Sequence, residues 1–120
     1  MTSIEAKTYI RSKLNKAVEL LLSDIDGHGL FANTDLEKNV FIQVTHVHKD
    51  LANLKDSENT WINLTPNCLY NHSKKNENCE IITDGLTKGI ITITDIGRGD
   101  ELLVDYTKDI DLEQPEDDWQ

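Results

Sequence analysis

Every apolar stretch of this chain is short and bounded by turn residues, which restricts it to a fold built from short strands. Residues 40–47 carry the clearest pattern: Val40, Ile42 and Val44 point one way, and Phe41, Gln43, Thr45 and Val47 the other. Residues 17–22 (Ala-Val-Glu-Leu-Leu-Leu) read as a buried strand, and residues 23–29 as a turn rich in Asp and Gly. Leu30-Phe31-Ala32 resumes an apolar segment. Residues 79–83 and 89–94 read as two strands, with Asp84-Gly85 as a turn signal between them. Residues 97–100 are another turn, and residues 101–106 the last strand. Residues 1–16 are ambiguous: Thr2-Ser3-Ile4-Glu5 fits a helix-capping box, while Thr8, Tyr9 and Ile10 suit a strand. Residues 49–66 read as polar and irregular, with a short helix around Leu51 and Leu54. The sum is about five or six strands and little helix, a mainly β domain.

At 120 residues the chain is one domain, and with 6% aromatic residues its core depends on Ile, Leu and Val. No apolar run is long enough to span a membrane, and the N-terminus lacks the apolar core of a secretory signal. The expected location is therefore the cytoplasm or nucleus. Cys68 and Cys79 are too few for a disulfide framework and are expected as free thiols. The net charge of -10 opposes direct nucleic-acid binding, which needs clustered Lys and Arg, and suits a basic protein or peptide partner. Asp109, Asp111, Glu113, Glu116, Asp117 and Asp118 concentrate six acids in residues 109–118 without a Lys or Arg. That run is either a solvated tail or a surface that holds a basic substrate.

Several constellations invite chemistry. His46 and His48 share a strand face, but a metal site needs three or four ligands and no Cys lies at ligand spacing, so no metal is expected. Cys68 and His72 lie four apart without the surroundings of a catalytic cysteine. Gly27-His28-Gly29 lacks the third glycine and helix of a dinucleotide fingerprint, yet its glycines let a ligand approach bare backbone closely. Tyr70-Asn71-His72-Ser73 is either a surface loop or a set of polar groups fixing a ligand in a pocket. Tyr106, ending a buried strand, suits core or rim packing on residues alone.

The order of three motifs adds a further reading. Gly27-His28-Gly29-Leu30-Phe31-Ala32, then Tyr70-Asn71-His72-Ser73, then Gly99-Asp100-Glu101-Leu102-Leu103-Val104-Asp105-Tyr106 resemble the SET-domain protein lysine methyltransferases, in a minimal form like the viral members. The resemblance spans residues 17–107. It leaves residues 1–16 as an N-terminal extension and residues 108–120 as an acidic tail. It implies a SET fold of small curved β-sheets with a knot-like threading near the C-terminus. It also implies S-adenosylmethionine as cofactor, S-adenosylhomocysteine as product, and a lysine of a basic protein, such as a histone, as acceptor. Gly27, His28, Gly29, Phe31, Asn71, His72 and Tyr106 would bind the cofactor. Tyr106 would be the catalytic tyrosine, and Tyr70, Tyr106 and Trp119 would line the substrate channel.

The chain departs from the family pattern at named places. Asn39 stands where a glycine is usual, a tolerable change at a left-handed position. Asn78, ahead of Asn76, is the preferred equivalent of a second family asparagine. The variable region, residues 49–66, is short, and no cysteine clusters flank the domain. Trp61 is expected in the core. Trp119 would close the channel by folding back or from the second subunit of a homodimer. The alternative from the same motifs is a catalytically inactive SET-like interaction module with an acidic binding surface.

Overall fold

The computed structural model describes residues 9–112. The capping-box reading and Trp119 therefore lie outside the described residues. Among the described residues nine strands form two sheets: β1 Tyr9–Arg11, β2 Val18–Leu22, β3 His28–Ala32, β4 Phe41–His48, β5 Trp61–Thr65, β6 Asn71–His72, β7 Cys79–Asp84, β8 Thr87–Thr92 and β9 Leu103–Val104. The larger sheet has the order β1-β5-β4-β8-β7-β9-β6; β2 and β3 pair separately as an antiparallel ribbon. The only regular helix among the described residues is a single 3₁₀ turn, Tyr106–Lys108. The fold is mainly β, as expected, and it contains more and shorter strands than the sequence suggested.

The central hairpin follows from local chemistry. Asp84 and Thr87 face each other across the β7–β8 turn, and Gly85 takes φ +59, a conformation open to glycine at little cost. Asn39 occupies φ +66, the left-handed position expected of it. Leu30, Ile90, Leu102 and Cys79 are fully buried at the centre of the core, and each buried Leu or Ile contributes about 1.5–3 kcal/mol.

Four expectations are corrected. First, β2 is a strand but not a buried one: only Val18 is buried, and Leu20, Leu21 and Leu22 are exposed, because among the described residues it pairs with β3 alone. Second, strict alternation fails on β4. Register shifts between Phe41 and Gln43 and between Val44 and His46 turn two consecutive pairs inward, Ile42 with Gln43 and Thr45 with His46. Third, the helix near Leu51 and Leu54 is a series of turns, and a strand, β5, lies beyond it. Fourth, the last strand is only Leu103–Val104; Glu101 makes an isolated bridge to Phe31, and Tyr106 opens the 3₁₀ turn.

The C-terminal strand is seated between two earlier ones. β9 pairs in parallel with β6 on one side and β7 on the other, and residues 73–78 connect those two strands. Asn78 holds it there. Its side-chain amide donates to the Glu101 carbonyl at 2.8 Å, and its Oδ1 accepts from the Leu103 N–H at 2.8 Å. Asn76 makes no such bridge; its N–H donates to Ser73 Oγ.

Candidate active site

The first half of the site is where β3, β6 and the approach to β9 converge. Asn71 is buried on the two-residue β6, and a buried amide must be paired. Its Nδ2 donates to Glu101 Oε2 at 2.7 Å, to the Asp26 carbonyl at 3.2 Å and to the His28 carbonyl at 3.4 Å. Ser23 Oγ also donates to the Glu101 carboxylate, at 2.7 Å. Gly29 is required by this packing, because a Cβ there would overlap the Glu101 carboxylate and press on Asn71. Gly27 takes φ +45 and has open space where a side chain would project. Phe31 is half-buried on β3, opposite Glu101, and His28 is exposed at the start of that strand.

The second half is built around Tyr106. His72 is buried beside Asn71, and its Nδ1 accepts the Tyr106 N–H at 3.0 Å, so the ring carries its proton on Nε2. The two rings lie 4.9 Å apart. The Tyr106 hydroxyl donates to the Tyr70 carbonyl at 2.7 Å, and the Tyr70 ring meets that of Tyr106 edge-on at 5.8 Å. All of Tyr70, Asn71, His72 and Ser73 are buried. That outcome decides between a surface loop and a fixed polar cluster in favour of the cluster.

A cleft of about 260 Å³ opens on the far side of Tyr106. Tyr70, Tyr106, Val104, Cys68, Trp61 and His46 line it, with the carboxylates of Glu58, Glu77, Glu80, Asp105, Asp109 and Asp111. Gly27, His28, Gly29, Phe31, Asn71 and His72 do not line it. The structure thus divides the expected residues into an Asn71–Glu101 side and a Tyr70–Tyr106 side, joined through His72. Trp61, expected in the core, is half-buried and faces the cleft with Lys88 Nζ 4.5 Å from its ring centre.

Electrostatics separates the cleft's titratable groups. His46 is buried, and desolvation, followed by the Lys88 charge, lowers its pKa from 6.5 to about 4. Its Nδ1 sits 2.7 Å from Thr45 Oγ1. His48 stands apart, edge-on to Trp61. Both cysteines are free, and burial pushes the Cys79 thiol up to about 12. Lys108 pairs with Glu77 at 2.6 Å, and that hydrogen bond raises its pKa.

Three contributors escaped sequence reasoning. Glu101 belonged to the closing motif, but nothing in its position showed that it would reach Ser23 and Asn71. His46 was visible only as half of a metal-like pair. Lys88 fell outside the strand expected at residues 89–94; extending the period-2 pattern of Ile90 and Thr92 back by two residues would have placed it on the buried face.

Comparison with known proteins identifies this architecture. The SET domain profile matches residues 27–107. The chain belongs to the SET-domain family. This is a family of methyltransferases, and no curated protein sequence matches the chain. Its fold is similar to a candidate histone methyltransferase of Plasmodium falciparum, with 22% identity, a TM-score of 0.60, and coverage of 78% of this chain and 95% of that one. It is also similar to a humanized mutant of the Chaetomium thermophilum Polycomb Repressive Complex 2 bound to an inhibitor, with 24% identity and a TM-score of 0.57. A third neighbour is ctPRC2 in an autoinhibited conformation bound to S-adenosylmethionine, with 21% identity and a TM-score of 0.58. In both Polycomb structures the match covers 77% of this chain but only 15% of the matched chain.

The Glu101 carboxylate and the Asp26 and His28 carbonyls cluster around the Asn71 amide, beside the open backbone of Gly27. A carboxylate with backbone carbonyls suits a cationic ligand group, such as an α-ammonium or a sulfonium. The residues present fit S-adenosylmethionine.

Proposed function

We propose that this SET domain is an S-adenosylmethionine-dependent protein-lysine N-methyltransferase acting on a basic protein. The observation that carries the reading is the fixed Tyr106: His72 holds its backbone, and its hydroxyl is tied to the Tyr70 carbonyl at the head of an acidic cleft. When bound, S-adenosylmethionine supplies an electrophilic methyl group. Asn71, Glu101 and the carbonyls of Asp26 and His28 would hold its cationic end, with Gly27 leaving room for close approach. The Tyr70 and Tyr106 rings orient the acceptor lysine and exclude water, so most of the rate comes from positioning. The cleft carboxylates of Glu58, Glu80 and Asp105 draw in the charged lysine, and the apolar rings favour the neutral amine that must attack. Histone tails are the first substrates to try, and a homodimer that supplies Trp119 across the channel belongs to the same reading. The protein acts in the cytoplasm or nucleus and engages neither nucleic acid nor membrane directly.

The test has two arms. In calorimetry, S-adenosylhomocysteine is expected to bind saturably to the wild type and not to an Asn71→Ala, His72→Ala variant. In a peptide-array assay, Tyr106→Phe is expected to lower methyl transfer at least about a hundredfold, the scale of a lost positioning contact. Wild-type rates in Tyr106→Phe would defeat the catalytic assignment. Cofactor binding without transfer to any peptide would favour the inactive interaction module.

A further inference from the structure

Lys88 is the one buried Lys, Arg, Asp or Glu among the described residues, with 1% of its surface exposed. It lies in β8, between His46 of β4 and Thr83 of β7. A buried ammonium is costly unless each of its three N–H groups finds an acceptor. Lys88 has all three: Thr83 Oγ1 at 2.7 Å, Asp109 Oδ2 at 2.8 Å and Asp111 Oδ2 at 3.2 Å. The face of Trp61 covers it. Two of these three acceptors come from the segment just after Tyr106.

No residue of that segment beyond Tyr106, residues 107–112, is buried. The 3₁₀ turn buries no residue, and Ile110 is 85% exposed. On the opposite side Lys108 reaches Glu77 at 2.6 Å and Glu80 at 3.8 Å. Asp105, Asp109, Asp111 and Lys108 all face the cleft. The segment is therefore a strap held by charge pairs, and the wall it gives the cleft begins at Tyr106.

We propose that Lys88 is a positioning residue: by gripping Asp109 and Asp111 from inside the sheet, it fixes the strap that forms the acceptor-side wall of the cleft. The proposal rests on the methyltransferase reading. It also assigns Asp109 and Asp111 to the protein's own architecture rather than to direct capture of a basic substrate.

The experiment compares wild type, Lys88→Met and the doubly substituted Asp109→Asn, Asp111→Asn, in which the buried face is untouched. Amide hydrogen exchange over residues 105–112 is expected to accelerate about tenfold or more in both variants, while β7 and β8 keep their protection. With a histone peptide as probe, KM is expected to rise about tenfold, while the affinity for S-adenosylhomocysteine stays within about twofold of wild type. Unchanged exchange in the aspartate variant overturns the proposal, even if Lys88→Met fails to fold. Faster exchange with an unchanged KM also overturns it, because the strap would then be tethered without shaping the cleft. A wild type that binds no cofactor and transfers no methyl group refutes the methyltransferase reading, and the positioning role falls with it; the two failures are distinguished by the wild-type control.

Discussion

Acidification should weaken this protein through His46. Burial, and then Lys88, lower the pKa of His46 from 6.5 to about 4, against the opposing pull of Asp109 and a hydrogen bond to Asn63. In the unfolded chain the ring returns to its ordinary value. Below that value the unfolded state takes up a proton that the folded state refuses, so the contribution is fully present above pH 6.5 and is lost as pH falls toward 4. At about 1.36 kcal/mol per unit, the full loss is about 3 kcal/mol, of which about 2 kcal/mol is gone by about pH 5. Urea unfolding followed by circular dichroism at about pH 8, 6.5 and 5 measures it, in wild type and His46→Gln. The substitution lowers stability at all three values but should flatten the pH dependence by about 2 kcal/mol, since the carboxylates common to both proteins cancel. If the two profiles ran parallel within about 0.5 kcal/mol, His46 would not be a buried neutral ring and the argument would fail.

Other substitutions probe the rest of the site. Asn78→Ala strips partners from the Glu101 carbonyl and the Leu103 N–H, and should cost about 2–4 kcal/mol in denaturant titration, whereas Asn76→Ala should stay within about 0.5 kcal/mol. Gly29→Ala drives a methyl group into the Glu101 carboxylate, and calorimetry should show S-adenosylhomocysteine affinity falling at least about tenfold. At φ +66, Asn39→Ala should lose about 1 kcal/mol in thermal unfolding, and Asn39→Gly should be neutral or slightly stabilising.

The site was more legible in the sequence than the strands were, because its motifs encode local needs. Gly27, Asn39 and Gly99 each take a positive φ, and the four residues from Tyr70 to Ser73 are buried together. Strand assignments depended on partners far away in the chain. The Leu20–Leu22 run looks buried by hydropathy and is exposed because no second strand covers it. Bulges on β4 overrode an alternation that was otherwise clear. β5 is five residues of mixed polarity, and its strand state comes from pairing with β1 and β4. The acidic run read equally as solvated tail or substrate surface. Its first two aspartates pair with one lysine, indistinguishable by composition from surface lysines, that is buried beneath them.

The seating of β9 between β6 and β7 also orders the events of folding. Strand β9 pairs with residues about thirty positions earlier, and Glu101 bridges to Phe31 across seventy. Neither contact forms until the intervening chain has been organised, and loop-closure entropy delays both. The slot between β6 and β7 has to exist, or open, before residues 103–104 fill it. Tyr106 therefore reaches its position in the last steps of folding. A partly folded chain holds the paired glycines and the Asn71–His72 strand but not the assembled candidate site, so refolding should restore secondary structure ahead of the proposed cofactor binding.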